Sequence, residues 1–226
     1  MRKMLTVLVF WLLTYPVGGI GTWVAFEILW GLGCLEIKGI ENFPKQKGRI
    51  LLCPNHCSLV EPILLIGLFG PKYLLRPWKY GPWNLADNQN YFSFRKWGWA
   101  YWPMWPKLIR VDRTAKKGGS PTSLRTPLRL LRNGANIIVF AEGGRTSSVK
   151  TGHLKSERGK LLRPLKTPPF IMSKVSGVLT VPVWFEYHSL TNMKLAIGQS
   201  QDFTSTPTEE IAGKLEKILL ALADTV

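Results

Sequence analysis

The chain has 226 residues, enough for one large domain or one domain with an appendage, and 46% of them are hydrophobic against 19% charged. That composition, with 10 Trp, 6 Tyr and 10 Phe, excludes intrinsic disorder and supplies a sizeable core. The 30 Lys and Arg outnumber the 14 Asp and Glu to leave +16, which directs attention to anionic partners: phosphate, nucleic acid or a membrane surface.

From Met4 to Ile37 only Glu27 and Glu36 are charged, after a short basic start of Arg2 and Lys3. A bilayer-crossing helix needs about 20 apolar residues, but Pro16-Val17-Gly18-Gly19 divides this run into two unequal parts. The expected form is a pair of short helices, a re-entrant or half-immersed hairpin with both ends on the basic side; the alternative is one helix kinked at Pro16 that crosses. A cleaved signal peptide fits less well, because no small-x-small site follows the first apolar run. Cys34, Cys53 and Cys57 are too few and too odd in number for a disulfide scaffold, which fits a reducing, cytosol-facing compartment. The expected organisation is a membrane-associated hairpin over residues 1–40 and one domain over 41–226.

Beyond residue 40, short apolar runs bounded by turn residues alternate with helix-compatible stretches. Strands are expected at Arg49–Cys53, Tyr73–Leu75, Ile137–Ala141, Val178–Tyr187 and Met193–Ile197, most of them continuously apolar as buried sheet strands are. Helices are expected at Pro62–Phe69, at Ser123–Arg132 with Leu124, Leu128 and Leu131 on one face, and at Thr208–Ala223 behind a Thr-Pro-Thr-Glu-Glu start. The fold class is α/β, with a mostly parallel or mixed sheet flanked by helices. Within it, residues 72–174 hold 21 Lys and Arg against 4 Asp and Glu. Trp78, Trp83, Trp97, Trp99, Trp102 and Trp105 lie in this basic stretch, beside Tyr80, Tyr91, Phe92, Phe94 and Tyr101. Basic residues interleaved with Trp and Tyr suit a lipid headgroup layer or stacked single-stranded bases.

Three segments carry chemistry. Pro54-Asn55-His56-Cys57-Ser58-Leu59-Val60-Glu61-Pro62 places a His and a carboxylate five positions apart across a strand-to-helix turn. A His acts as general base on a hydroxyl when a carboxylate holds its other ring nitrogen, and Glu61 is the candidate partner of His56. The plainer reading has His56 packing the next helix and Glu61 serving as an ordinary first-turn acid. Phe140-Ala141-Glu142-Gly143-Gly144-Arg145-Thr146-Ser147 follows an apolar strand, where paired glycines admit close backbone approach and Arg145 offers a bidentate fork to an oxyanion. Leu108-Ile109-Arg110-Val111-Asp112-Arg113 alternates as a half-buried strand does, with Arg110 and Asp112 on one face. Cys53, His56 and Cys57 have no second Cys/His cluster to complete a zinc site, so no metal is expected.

Together and in this order these segments resemble the glycerolipid acyltransferase family of the 1-acylglycerol-3-phosphate acyltransferase type. Asn55-His56 with Glu61 is similar to its first block, Ile109–Arg113 to its second, Phe140–Thr146 to its third and Val181-Pro182-Val183 to its fourth, over residues 49–199. Two departures stand out: Glu61 replaces the usual Asp, and Ala141 and Gly144 replace the usual Pro and Thr.

The resemblance implies that His56 takes the proton of a free hydroxyl on 1-acylglycerol 3-phosphate, which attacks an acyl thioester of coenzyme A or acyl carrier protein to give phosphatidate. Glu61 orients His56, and no acyl-enzyme, cofactor or metal is needed. Glu142, Gly143, Gly144, Arg145 and Thr146 would receive the acceptor phosphate, with Arg110 and Arg113 as further contacts. Asn55 and Ser58 flank the substrate, and amides after His56 would stabilise the oxyanion. The enzyme is expected at the cytoplasmic face of a membrane, with membrane lipids and either donor as its partners and no nucleic acid. The rival readings keep the chemistry on another acceptor (glycerol 3-phosphate, a lyso-aminolipid or another lysophospholipid), or make the chain a non-catalytic basic protein that binds lipid or RNA.

Overall fold

The computed structural model describes residues 2–45, 49–70, 80–87, 107–111, 122–166 and 168–226. The chain opens with α1 (Arg2–Val9), a π-helical segment (Phe10–Gly21) and α2 (Thr22–Gly31). The expected helical pair is present in part: Met4–Leu12 and Thr14–Gly31 meet at a bend of 40°. Pro16-Val17-Gly18-Gly19 lies inside the π-helical segment and does not end the helix. Among the described residues no single helix is long and apolar enough to cross a membrane, although the bent pair meets that test by length and composition.

The strands that follow are β1 (Leu35–Lys38), β2 (Ile50–Pro54), β3 (Trp83–Asp87), β4 (Leu108–Val111), β5 (Ile137–Ile138), β8 (Leu179–Ser189) and β9 (Asn192–Ile197), which build one sheet. A separate antiparallel pair is formed by β6 (Leu154–Lys155) and β7 (Leu161–Leu162). The sheet order is β1-β9-β8-β2-β5-β3-β4, parallel throughout except for the antiparallel β8–β9 hairpin. It is the mixed sheet flanked by helices that the apolar runs imply. The sheet begins ahead of residue 41, since β1 pairs with β9 from Leu35↔Met193 onward.

Period-two alternation sends each strand's side chains to two cores. In β2, Leu51 and Cys53 face a core closed by α4 (Thr122–Arg132), α5 (Pro168–Ser176) and α6 (Thr208–Ala223), through Leu131, Phe170, Ile211, Leu215 and Leu219. Ile50 and Leu52 face the opposite core, completed by Phe26 of α2, Leu64 of α3 (Glu61–Leu64) and Phe69 of a following 3₁₀ turn. Each fully buried large side chain of this kind contributes about 2 kcal/mol. The helix expected over Pro62–Phe69 is split because α2 crosses there: a Cβ on Gly67 would stand 2.4 Å from Phe26 Cβ, and one on Gly70 2.0 Å from the Trp23 ring. The strand expected to reach Ala141 pairs only to Val139, whose N–H donates to Leu52 O at 2.9 Å, before the chain turns. The strand expected at Tyr73–Leu75 lies outside the described residues, as do most of the clustered aromatics, whereas Trp83 falls in β3 and Tyr80 is buried.

Because β2, β5, β3 and β4 run parallel, their C-terminal ends share one edge of the sheet, the edge where open α/β sheets place their ligands. His56 follows β2 there and Glu142 follows β5.

Candidate active site

β2 ends at Pro54, and Asn55 then serves as a substitute rung of the sheet. Its Oδ1 accepts from Phe185 N–H at 2.6 Å and its Nδ2 donates to Phe185 O at 3.0 Å. Asn55 is 1% exposed, so both side-chain ends are spent on β8 rather than on a ligand. This fixed corner presents His56, whose ring lies on Phe140 with centroids 4.4 Å apart.

Glu61 begins α3 ahead of Pro62, which has no N–H to leave unpaired at a helix start. Its carboxylate turns back into the protein and is fully buried. Oε1 lies 2.5 Å from His56 Nδ1, and the Ser58 N–H reaches both carboxylate oxygens at 3.0 Å. Ser58 Oγ donates to Oε2 and accepts from Val60 N–H at 3.0 Å. Glu61 thus reaches back from the first residue of α3 to the Ser58 amide and hydroxyl while also holding the imidazole. The longer side chain of Glu, relative to the Asp of the resembled block, still closes this contact. The Ser58 and Val60 amides are engaged by Glu61 and Ser58, so neither is spare for the oxyanion expected after His56. Burial and the neighbouring Glu61 carboxylate push the Cys57 thiol well above its ordinary range, and burial takes Cys53 up to about 12.

The second motif meets the first through its acid. Glu142 is 0% exposed: Oε1 accepts from the His56 N–H at 2.5 Å, and Oε2 accepts from Thr146 Oγ1 at 2.7 Å and from Arg163 N–H at 3.0 Å. Burial raises its pKa against the opposing pull of those hydrogen bonds. Thr146 also closes on the first motif, its N–H donating to His56 O at 2.7 Å while its hydroxyl, turned to Glu142, lies 3.1 Å from the same oxygen. Glu142 and Thr146 therefore hold the loop that carries His56, and Glu142 does not face the solvent where a phosphate would arrive. Gly143 turns the chain at φ 70°, a conformation glycine adopts without strain. Arg145 is exposed beyond it, with no carboxylate paired to its guanidinium among the described residues.

Arg110 is exposed on β4, three strands from β2, or about 14 Å along the sheet. The structure thus brings His56, Glu61, Ser58, Glu142 and Thr146 together, keeps Arg110 apart, and leaves Asp112 and Arg113 outside the described residues. Beside Asn55, Cys57 and Thr146 opens a cavity of about 490 Å³, walled further by Trp184, Phe185 and Tyr187. Absent from the sequence reading are Arg163 and Lys166, which lie over Gly144 and Gly143 respectively. They fall in no motif block, and their one signal is density of charge: residues 145–166 hold Arg145, Lys150, Lys155, Arg158, Lys160, Arg163 and Lys166 against Glu157.

Comparison with solved structures finds the same architecture in the crystal structure of the 1-acyl-sn-glycerophosphate (LPA) acyltransferase, PlsC, from Thermotoga maritima, at 19% identity and a TM-score of 0.58 over 99% of this chain and 96% of that one. The Acyltransferase family model matches residues 34–186, a span from the edge of β1 into β8 that contains His56, Glu61, Glu142, Arg145, Arg163 and Lys166. With its His-acid corner and the greater part of its length inside that match, the chain belongs to the acyltransferase family.

Proposed function

We propose that the protein transfers a fatty acyl group from a thioester of coenzyme A or acyl carrier protein to the free hydroxyl of 1-acylglycerol 3-phosphate, forming phosphatidate, with His56 as general base. The observation that carries this reading is the 2.5 Å contact between His56 Nδ1 and the buried Glu61 carboxylate. With Nδ1 committed to Glu61, the proton-accepting atom is Nε2. Nε2 takes the acceptor's hydroxyl proton as the oxygen attacks the thioester carbonyl; the C–S bond then breaks, and the departing thiolate recovers the proton from the imidazolium. Glu61 stabilises the imidazolium between these steps and fixes the ring's orientation. No acyl-enzyme is formed, in keeping with a Cys57 thiol held protonated by burial and by Glu61. The neighbouring cavity of about 490 Å³ lies within the range of small-molecule sites and offers room for part of a substrate.

The site works at a bilayer surface on its cytoplasmic face. Met4, Leu5, Leu8, Trp11 and Leu12 on the first arm and Ile28 and Leu32 on the second are exposed apolar side chains, the immersion surface of an amphiphile-handling enzyme. The basic body adds attraction to anionic lipid of about 1 kcal/mol per Lys or Arg near the surface. Purified protein on mixed anionic vesicles, offered palmitoyl-coenzyme A or palmitoyl-acyl carrier protein with a panel of acceptors, tests the reading. Phosphatidate from lysophosphatidate, formed faster than any product from glycerol 3-phosphate, a lyso-aminolipid or another lysophospholipid, is expected. Preference for one of those acceptors would keep the chemistry and replace the substrate, and vesicle binding without turnover would make the protein a non-catalytic binder.

A further inference from the structure

One imidazole outside the motif blocks is turned toward the loop that carries His56. Beyond Thr146 the chain makes an excursion through the β6–β7 pair and returns at Arg163. The Glu142 carboxylate closes that excursion at its base, accepting from Thr146 Oγ1 at 2.7 Å and from Arg163 N–H at 3.0 Å. Within it, Gly152 turns the chain at φ 78°, and His153 reaches back so that its Nε2 lies 2.9 Å from Thr146 O. A carbonyl oxygen only accepts, so Nε2 carries the proton and the neutral ring is the Nε2–H tautomer.

Thr146 passes the contact on. Its carbonyl is held by His153 on one side, and on the other its N–H donates to His56 O at 2.7 Å. The His56 N–H is fixed separately by Glu142 Oε1 at 2.5 Å, and the ring by Glu61 and Phe140. The main-chain oxygen of His56 therefore depends on Thr146, and Thr146 on a side chain that belongs to no motif. A catalytic ring has to be held within about 0.5 Å of its productive place, so loosening Thr146 reaches the chemistry. Among the described residues His153 makes no hydrogen bond to His56 or Glu61 itself. It also lines the cavity beside Cys57 and Thr146, so its substitution can be read at two places: the His56 ring and the binding of substrate.

We infer that His153 is a positioning residue of the acyl transfer: its Nε2–H holds the Thr146 carbonyl and, through Thr146, sets the place of the His56 main chain and hence of the imidazole. The consequence for turnover rests on the general-base reading. The consequence for the His56 ring does not.

The chain holds 3 His, few enough for their ring nitrogens to be resolved by NMR of histidine-labelled protein and assigned by substitution. In the neutral ring of wild-type His153, Nε2 should be protonated and Nδ1 bare; the opposite tautomer would overturn the inference without any variant. His153→Phe keeps a ring and removes the donor, and should move the His56 ring signals. His153→Gln, whose side-chain amide can donate to the same carbonyl, should leave them in place. Unmoved His56 signals in folded His153→Phe, or equal movement in both variants, would overturn the inference.

In steady-state transfer, loss of this one hydrogen bond in His153→Phe should lower kcat about 10-fold. KM for lysophosphatidate should not change, and His153→Gln should stay near the wild type. Against a His56→Ala background His153→Phe should cause no further loss, since it acts through the ring that is missing. An equal loss in both backgrounds, or a raised KM with kcat intact, would make His153 a substrate contact and overturn the assignment. A wild type that transfers no acyl group from any thioester, yet whose His56 signals move in His153→Phe and not in His153→Gln, would support the positioning role and contradict the proposed activity.

Discussion

At the scale of single residues, the site separates groups that do chemistry from groups that hold them. Cys57 neighbours His56 in sequence and lines the cavity, yet its thiol is pushed far toward the protonated form by burial and by Glu61. Cys57→Ala is therefore expected to retain transfer activity within about 3-fold, and no acyl group should be trapped on the protein by acid quench and mass spectrometry; a loss of 100-fold or more would restore a covalent route. Asn55 is the opposite case, a residue of the motif whose work is structural. Asn55→Ala removes both partners of the buried Phe185 main chain, at about 1–3 kcal/mol for each orphaned group, and should lower Tm by roughly 5–10 °C in thermal unfolding. The motif alone does not show which way Asn55 and Glu142 face. Position in sequence marks a residue as part of the site, but burial against Phe185 in one case and against the His56 amide in the other decides its role.

At the scale of elements, the helical pair is coupled to the dyad by close packing. α2 crosses the chain just after α3, with Phe26 against Gly67 and Trp23 against Gly70, so the arm read as membrane-facing bears on the segment that follows Glu61. Gly67→Leu leaves no room for Phe26 and should displace α2, seen as new protease cleavage near residues 22–31 together with a fall in transfer activity. Unaltered cleavage would show that the helix is held elsewhere. Lys107 precedes β4 with 2% exposure, its Nζ donating to Gly81 O at 3.1 Å and lying 4.6 Å from the Trp83 ring and 5.7 Å from that of Phe10 in the N-terminal helical segment. Burial lowers its pKa from 10.5 to about 7. The unfolded chain keeps that proton up to about pH 10.5 while the folded chain releases it above about 7, so across this window the unfolded state binds more protons and stability rises with pH. Below pH 7 the burial penalty is fully present. Lys107→Met should thus be more stable than the wild type at pH 6.5, with its advantage shrinking by about 1.4 kcal/mol per pH unit above 7 in denaturant titrations. A difference that does not change with pH would contradict it.

At the scale of the whole molecule, the legible part of the fold was the part with uniform neighbours. β2, and β8 over Thr180–Phe185, are buried on both faces and read as largely apolar runs, and α6 occupies Thr208–Ala223 as its acidic start and apolar spacing require. β3 was hidden because Trp83 sits in an aromatic-basic stretch that looks like a membrane boundary, and β1 because it continues an apolar run whose one mark of the passage from helix to strand is Gly33, at φ 72° just past the end of α2. The Pro16–Gly19 sequence reads as a break, but a π turn carries the helix through it. The dyad was legible because its two residues are five apart across a single turn. Arg163 and Lys166 were not, because the turn that seats them lies some twenty residues earlier and only the tertiary fold superimposes the two segments.

The most direct test of the account is phosphatidate formation from lysophosphatidate by folded wild-type protein and by His56→Ala and Glu61→Gln, each supplied with palmitoyl-coenzyme A and with palmitoyl-acyl carrier protein. General-base catalysis of this kind contributes about 10²- to 10⁴-fold, so His56→Ala should fall by at least that range and Glu61→Gln by about 10²-fold, with vesicle binding intact in both. Full activity in His56→Ala would contradict the central claim that the imidazole held by Glu61 takes the acceptor's proton.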